Sequence, residues 1–309
     1  MEQGENIFKL QNELVSMPEY LLELKLLTLD VSLYVFQTNY TQLINLLNIY
    51  KDKQKALILW DENNRHIQDE FHLEVIRLLH NFVASVKSLI DHTRIMYQEL
   101  YEGNKKFPEY QQEVNKLFAN NPLAQFVEDL RDYSLHYKFL PISSKYIYVK
   151  DPPKDESSIV LDLKILLLYK TWSALSKNYL KEQRDNINIL DLISKYYGLT
   201  IGFHKWVRSK QLEIHSEEFK RLNEKKRQLA DLLIPEEVIF ALADFDTNKT
   251  NPDKSFWRIL EPTQRDELSH IPLGSPEHAD KLISLIENKA NISSELKSKI
   301  KDFYKQFLN

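Results

Sequence analysis

An arginine, an aspartate and a histidine stand close together near the middle of the chain, at Arg131, Asp132 and His136. A guanidinium presents a planar set of donors that matches the oxygens of a phosphate. An imidazole, with an ordinary pKa of about 6.5, can accept or release a proton at neutral pH. Cleavage of RNA without a metal needs a base for the 2′-hydroxyl, an acid for the leaving oxygen and a cation for the charged phosphorane. This Arg–Asp–His trio therefore has the groups for such a reaction, with Asp132 orienting Arg131 or His136.

The segment around the Arg–Asp–His trio has the pattern of a core helix. Apolar residues recur at helical spacing over 126–140. Polar groups in such surroundings need partners, because a buried polar group without one costs about 1–3 kcal/mol. The alternative to catalysis is therefore structural, with Arg131 and His136 buried and satisfied by Glu128 or Asp129.

Helical geometry places a constraint on Arg131 and His136. Residues five apart on a regular helix point about 140° away from each other, so the two side chains should not share a face. Either the helix distorts between them, or each side chain works with the motif of a second chain. A two-fold dimer would place two arginines and two histidines around one cleft.

The spacing from arginine to histidine is not specific by itself. Four arginines are followed by a histidine five to seven residues later, where a random arrangement gives about one such pair. The pair in the Arg–Asp–His trio is favoured by context, because it follows two long amphipathic helices and precedes another strong helix, as a four-helix bundle requires. Arg265 also has an aspartate after it, but only 44 residues follow it, too few for the bundle. The other pairs are Arg65–His72, Arg208–His215 and Arg265–His270.

Composition favours a large helical fold. The chain has 309 residues, of which 43% are apolar and 28% charged, with 5 glycines and 11 prolines. So few glycines argue against a glycine-loop nucleotide fold or a turn-rich β-sandwich. The net charge of −4 argues against a broadly basic surface for nucleic acid. The absence of cysteine excludes disulfides, a thiol nucleophile and a cysteine metal site.

Compartment signals point to the cytoplasm. The acidic N-terminal sequence lacks the basic-then-apolar pattern of a signal peptide. The most apolar runs, 21–36 and 159–169, are interrupted by charges and do not reach the roughly 20 apolar residues of a membrane helix. With no cysteine to form disulfides, we expect a cytoplasmic protein with no membrane partner.

Apolar periodicity predicts a mainly all-α fold with one β-hairpin. Alternating apolar residues predict short strands at 144–149 and 158–163, with a turn at 151–155 between them. Gly198 and Gly202 lie four apart on one face of a predicted helix, where they mark either close approach of another helix or a kink. The predicted helices cover residues 21–50, 61–101, 108–118, 126–140, 164–183, 187–233 and 276–307.

A change in composition at Pro235 sets a soft domain boundary, because loops, including one around 244–254, follow it. We expect N-terminal helices at 1–60 that pack on the bundle, a helical bundle with the hairpin at 61–234, and a small C-terminal helical region at 235–309.

Other polar and aromatic residues have less specific readings. Residues 91–94 either line the same cleft as the Arg–Asp–His trio or form ordinary helix surface, and the charge run 220–227 is expected to be solvated rather than bound to RNA. His66, His72 and His80 are six and eight apart, which is not the spacing of a helical metal pair. The four tryptophans are expected in the core, with base stacking as the alternative. They are Trp60, Trp172, Trp206 and Trp257.

The long helices, the sequence Arg-Asp-Tyr-Ser-Leu-His at 131–136 and the helix after it resemble the HEPN superfamily, helical bundles named for nucleotide binding in higher eukaryotes and prokaryotes. Active members carry an arginine, a polar residue, a few residues and then a histidine, here Arg131, Asp132 and His136. The resemblance covers roughly residues 60–182. It implies a HEPN-like helical bundle and a metal-independent endoribonuclease without a cofactor. It also implies an RNA substrate and a homodimer whose two motifs face each other.

The same resemblance implies a toxin or an anti-phage defence effector, with an antitoxin or defence-system protein as partner. In some members a partner nucleotidyltransferase modifies a tyrosine two residues after the histidine, but here Tyr137 follows His136 by one and Lys138 by two. That regulation is therefore not expected. The competing interpretation is a non-catalytic HEPN-like scaffold or protein-interaction module, which the mild acidity favours. A solvent-exposed pair of Arg131 and His136 flanked by lysines would favour the enzyme, and a sealed pair the scaffold.

Overall fold

A computed structural model describes residues 2–150, 153–243 and 251–307 of the chain. Within these ranges the prediction of a mainly all-α fold with a small β insertion is confirmed. In the same ranges no helix combines the length and apolarity needed to span a membrane. In chain order the helices are α1 (Glu2–Ser16), α2 (Pro18–Lys51), α3 (Lys53–Trp60), α4 (Arg65–Tyr97), α5 (Tyr110–Val114), α6 (Pro122–His136), α7 (Leu163–Leu166), α8 (Ala174–Glu182), α9 (Ile189–Ile214), α10 (Ser216–Ala243), α11 (Pro262–Ser269), α12 (Pro276–Glu287) and α13 (Ser294–Lys305).

The described residues form two compact units. One contains Leu24–Ile214, including the Arg–Asp–His trio, except for the two residues of this range that are not described. The other contains the described residues of Met1–Glu23 and of His215–Asn309. The expected division into 1–60, 61–234 and 235–309 stays a prediction.

Large aromatic side chains build the core of the Leu24–Ile214 unit. Phe36 of α2 and Phe82 of α4 are fully buried, and their ring centroids are 5.4 Å apart. Tyr40 stacks on Tyr197 of α9 with centroids 3.7 Å apart. Burial of such rings contributes a large share of the hydrophobic free energy, and it joins α2, α4 and α9 into one layer of the bundle.

Helix α6, which carries the Arg–Asp–His trio, begins where local sequence signals place its start. The side chain of Asn121 accepts hydrogen bonds from the backbone N–H groups of Leu123 (3.0 Å) and Ala124 (3.3 Å), and Pro122 occupies the first turn. The helix ends at His136 rather than at the predicted residue 140. Pro141 biases the preceding residue, Leu140, away from helical backbone angles, so the helix does not extend to it.

The β-hairpin is confirmed, with a third short strand added. The strands β1 (Ile142–Lys150), β2 (Pro153–Leu161) and β3 (Ile187–Asn188) form one antiparallel sheet in the order β1–β2–β3. Ile142 pairs with Leu161, and Val160 pairs with Asn188. The predicted turn at 151–155 falls partly on residues 151–152, which lie outside the described residues.

Two helices predicted as continuous are interrupted. The predicted helix 164–183 consists of α7 and α8, and Trp172 lies in the connection, where it is buried and donates its indole N–H to the carbonyl of Leu166 (2.8 Å). The segment buries Leu166 and Trp172 but leaves Leu167 and Leu168 exposed, a division that periodicity alone does not predict. The predicted helix 187–233 begins as β3 and is divided by a turn at His215 between α9 and α10.

The prediction that another helix approaches closely at Gly198 and Gly202 of α9 is wrong. A Cβ atom built at Gly198 or Gly202 meets no atom within 4 Å apart from the helix itself and the chain neighbours, so no other helix approaches closely there. Helix α9 is continuous through both positions, and the alternative of a kink stays a prediction.

The second unit has its own apolar core, formed by α10, α11, α12 and α13 with the 3-10 turn Pro252–Phe256. Pro235 lies inside α10, so that helix does not end at the predicted boundary. Within the charge run 220–227, Arg221 pairs with Glu19 (2.8 Å) and Lys225 pairs with Glu13, so part of the run forms ion pairs rather than a purely solvated face. The predicted loop at 244–254 falls largely on residues 244–250, outside the described residues. The predicted final helix or pair at 276–307 is the pair α12 and α13.

A buried polar network joins three elements of this second unit. Asp253 accepts hydrogen bonds from Nε2 of His278 (2.9 Å) and from the hydroxyl of Tyr304 (2.5 Å). Nδ1 of His278 lies 3.0 Å from the carbonyl oxygen of Ile271. Burial lowers the pKa of His278, but its bonds to Asp253 and to the Ile271 carbonyl leave the pKa raised above the ordinary value. Because both ring nitrogens face oxygen acceptors, the network favours the imidazolium, which donates from both nitrogens.

Candidate functional site

The buried face of α6 fixes the position of the Arg–Asp–His trio. Phe126, Val127, Leu130 and Tyr133 are all buried, and they pack α6 against α4, α8 and α9. The ring of Phe126 lies 4.8 Å from that of Tyr179 on α8, centroid to centroid. Arg131 and Asp132, which lie between Leu130 and Tyr133, are not buried.

Arg131 and Asp132 form a pair at the surface of α6. Nη1 of Arg131 donates to Oδ1 of Asp132 at 2.7 Å, and the two side chains are 29% and 56% exposed. The prediction that Asp132 orients Arg131 therefore has a geometric basis. A guanidinium held by one carboxylate through one nitrogen keeps other N–H groups for a phosphate.

His136 is the last residue of α6, and it is exposed to solvent. Within the described ranges, no hydrogen bond or ion pair involves its imidazole. The backbone N–H groups of Tyr137 and Lys138 both donate to the carbonyl of Tyr133 at 3.0 Å and close the helix behind it. An accessible imidazole at a helix end is free to reach a substrate.

Arg131 and His136 do not meet within one chain. Helix α6 is α-helical up to His136, so the predicted alternative of a distorted helix is wrong. At about 100° per residue, the two side chains point about 140° apart. If both act on one phosphodiester, the second member of the pair must come from another copy of the chain.

The structural alternative, with Arg131 and His136 buried and satisfied by Glu128 or Asp129, is also wrong. Asp129 accepts hydrogen bonds from the backbone N–H of Ser173 (2.9 Å) and the hydroxyl of Ser176 (2.6 Å), and thereby fixes the start of α8. Neither Arg131 nor His136 is buried.

In each of the other three arginine–histidine pairs, at least one residue is buried or bonded to another part of the chain. His72 lies half-buried with Nε2 2.7 Å from the hydroxyl of Ser144. His215 is 6% exposed. Arg265 donates to the carbonyls of Leu260 (2.9 Å) and Trp257 (2.6 Å), so its guanidinium holds a loop together. In the described part of the chain, the pair in α6 is thus distinguished by an accessible histidine and an arginine that makes no bond to backbone.

Of the segment 91–94, part lies on the helix surface and part lines a cavity. Asp91 pairs with Lys87 (2.9 Å) and with Arg94 (3.0 Å) on the surface of α4. His92 is bonded through Nδ1 to the hydroxyl of Ser32. Thr93 and Arg94, in contrast, line a cavity. None of the trio lines this cavity, so Thr93 and Arg94 do not share it with Arg131 and His136.

The cavity has a volume of about 280 Å³ and lies between α4, α6, α9 and the segment from α5 to residue 119. Most of its wall is apolar or aromatic. Its polar members include Glu128 of α6 and His204 of α9, which lies one helical turn after Thr200 and two after Tyr196, also in the wall. A small apolar pocket with a few convergent polar groups has the character of a ligand site.

Glu128 is the unusual acid of this cavity. Burial raises the pKa of Glu128, the charge of Lys87 lowers it, and the nearby carboxylates Asp129, Asp132 and Asp91 raise it, so that the pKa is about 7 in all. No hydrogen bond or ion pair in the described ranges involves the Glu128 side chain. A carboxyl group in these surroundings exists in both charge states at neutral pH.

His204 is the second polar group in the wall without a partner. It is 6% exposed, and no hydrogen bond of the described residues reaches its ring. Burial lowers the pKa of His204 to about 4, so the imidazole is neutral at physiological pH. Burial likewise raises the pKa values of Tyr110 and Tyr196 in the same wall, which keeps both phenols neutral.

Sequence reasoning missed this pair of groups. Glu128 was considered only as a partner of Arg131, and His204 was not singled out. The available signal was a polar residue at a core position of each helix: Glu128 beside Val127, and His204 in register with Tyr196 and Thr200. Periodicity identifies such positions, but it does not bring α6 and α9 together.

The described residues contain no metal cluster, and the tryptophans divide between core and surface. No group of three or more His, Asp or Glu side chains in those ranges could hold a metal ion. Trp172 is in the core as expected, whereas Trp60 and Trp257 are 45% and 39% exposed, against expectation. Trp60 donates its indole N–H to the hydroxyl of Tyr50.

Comparison with known proteins identifies no relative of this chain. No protein-family model, no curated protein and no solved structure matches the chain.

Proposed function

We propose that the chain is a metal-independent endoribonuclease of the HEPN type, in which Arg131 and His136 cleave RNA by attack of the 2′-hydroxyl. The observation that supports it is the accessibility of both side chains on α6, where Arg131 is 29% exposed and His136 is exposed at the helix end. A sealed pair would have favoured a scaffold instead.

The roles follow from the chemistry of each group. Arg131, oriented by its bond to Asp132, stabilises the negative charge of the phosphorane. His136 takes the proton of the 2′-hydroxyl or supplies one to the leaving oxygen. Lys138 is exposed two residues further on and adds positive charge for the RNA backbone.

A homodimer completes the site in this proposal, because the two side chains point about 140° apart on one helix. Apolar side chains suited to an interface lie beside the Arg–Asp–His trio. Leu135, Tyr137 and Phe139 are 39%, 48% and 78% exposed. Leu168, 67% exposed, is next to Tyr169, whose ring centroid lies 4.8 Å from that of Tyr137. Contiguous exposed apolar surface of this kind marks interaction sites.

Cleavage of a labelled mixed-sequence RNA in the presence of EDTA tests the proposal. The wild type should cleave, and His136→Ala should lose at least about a hundredfold in rate, since general acid–base catalysis contributes about that much or more. His270→Ala is the matched control, because His270 is exposed and ends the second Arg-Asp-x-x-x-His sequence. It should cleave at the wild-type rate.

Two results count against the proposal. Equal cleavage by the wild type and by a folded His136→Ala variant would mean that the motif is not catalytic. The absence of cleavage by either protein, over RNAs of varied sequence and structure, would favour a non-catalytic scaffold.

A further inference from the structure

We propose that the cavity between α4, α6 and α9 binds a small organic amine in its protonated form, with the ammonium group on Glu128 and an apolar body against the aromatic wall. This site is independent of the proposed RNA cleavage, because none of Arg131, Asp132 and His136 lines the cavity.

The charge distribution around Glu128 selects a cation. Among the charged groups that act on Glu128, three are carboxylates and one, Lys87, is positive. Nζ of Lys87 is already 2.9 Å from Oδ1 of Asp91. Arg94 at the rim is paired with the same aspartate at 3.0 Å and is 59% exposed. An anionic ligand would therefore meet the unpaired carboxyl group of Glu128, and Arg94, the cation in the cavity wall, is exposed and already pairs with Asp91, whereas an ammonium ion would neutralise the acid.

The aromatic wall suits the body of such a cation. Tyr97 and Tyr110 stack with centroids 3.9 Å apart, and Phe118 lies 5.2 Å from Phe203 in an edge arrangement. All four side chains line the cavity. Aromatic faces attract organic cations through the ring quadrupole, and more strongly where water is excluded. A hydrated metal ion would gain little from walls of this kind.

His204 gives the ligand a second point of recognition. It is 6% exposed and lines the cavity, and none of the described residues offers its ring a hydrogen bond. Because the imidazole is neutral, it repels no cation, and one of its nitrogens can accept an N–H. An amine satisfies a buried acceptor at Glu128 and another at His204, which a purely apolar ligand leaves unpaired.

Calorimetric titration of the full chain with simple amines tests the site. The probes are butylamine, 2-phenylethylamine and tryptamine, which share a primary ammonium and differ in the apolar body. The neutral control is 2-phenylethanol and the anionic control is 3-phenylpropanoate. At least one aromatic amine should bind more tightly than 2-phenylethanol by about tenfold or more, and 3-phenylpropanoate should not bind.

Two variants locate the binding. Glu128→Gln should abolish the preference for the amine over the alcohol, since it removes the charge and keeps the shape. Glu102→Gln is the matched control, because Glu102 lines the same cavity but is exposed, and its variant should keep the preference. Ala119→Trp, at an exposed position of the wall, should obstruct the cavity and weaken the amine and the alcohol alike.

Three results would overturn the proposal. One is that none of the three amines binds the wild type at millimolar concentration. Another is that 2-phenylethanol binds as tightly as the amines. The third is that a folded Glu128→Gln variant, checked by circular dichroism, keeps the wild-type preference for the amine.

Discussion

At the scale of single residues, α6 carries two kinds of polar group with different surroundings. Arg131, Asp132 and His136 lie towards solvent, where the ordinary chemistry of their side chains is available to an incoming molecule. Glu128, one turn earlier, faces a cavity that changes its acidity. The first group was visible in the sequence as a motif, whereas the second depends on what α4 and α9 bring to it.

Glu128 should make the protein less stable as the pH rises. Its folded-state pKa, raised to about 7 from 4.5, means that the folded state holds the proton more tightly than the unfolded state. Stability is therefore lost between about pH 4.5 and pH 7, by up to about 3 kcal/mol. Glu128→Gln should remove this loss and raise the Tm more at pH 8 than at pH 5. Thermal unfolding at the two pH values measures it, and equal shifts would contradict the assignment of a raised pKa.

His204 should have the opposite effect. Its folded-state pKa is lowered to about 4 from 6.5, so the unfolded state binds the proton first as the pH falls. Stability is then lost from about pH 6.5 down to about pH 4, by about 3 kcal/mol in total. In His204→Leu this acid-side loss should shrink. Urea unfolding at a series of pH values gives the slope, and an unchanged slope would show that the pKa of His204 is the same in the folded and unfolded states.

At the scale of elements, periodicity identified most of the helices but not where they end. The helical pattern of α2 and α4 was read correctly because each buries a continuous stripe, from Leu26 to Tyr50 and from Phe71 to Met96. It failed at Trp172, which is buried in the connection between two short helices, and at His215, where a turn divides two longer helices. Such breaks are decided by tertiary packing, which a single sequence does not contain.

The polar network of Asp253, His278 and Tyr304 should hold its three elements together. Asp253→Asn removes the charge that both donors share, and a buried imidazolium then loses its counter-ion. We expect a loss of about 2–4 kcal/mol in the free energy of unfolding.

Asp302 provides the matched control in the same unit. It pairs with Lys305 at the surface, with both side chains more than half exposed. Asp302→Asn should cost about 0.5 kcal/mol or less. Chemical denaturation of both variants makes the comparison, and equal costs would show that the buried network does not stabilise the protein.

At the scale of the whole molecule, the site in α6 requires two copies if Arg131 of one chain works with His136 of the other. Arg131→Ala and His136→Ala should each be inactive alone. Mixing them allows dimers with one intact composite site, so about a quarter of the wild-type activity should return for random exchange of subunits. RNA cleavage by the mixture measures this, and no recovery despite demonstrated exchange would place both groups of a site in one chain.

Expression in bacterial cells tests the proposed role as a toxin or defence effector that degrades RNA. Wild-type expression should arrest growth, and His136→Ala should relieve the arrest at equal protein level, since the mutation removes the proton-transfer group. Growth curves with His270→Ala as control provide the measurement. Equal growth arrest by the wild type and by His136→Ala would mean that the toxicity does not depend on the Arg–Asp–His trio.

The chemical nature of the RNA ends tests the central claim most directly. Attack by a 2′-hydroxyl leaves a 2′,3′-cyclic phosphate and a 5′-hydroxyl, and it cannot occur at a 2′-deoxy position. In EDTA, the wild type should cleave an all-ribose oligonucleotide to these ends, leave its 2′-deoxy counterpart intact, and lose the activity in His136→Ala. Cleavage of the 2′-deoxy counterpart, or products with 3′-hydroxyl ends, would contradict the mechanism assigned to Arg131 and His136.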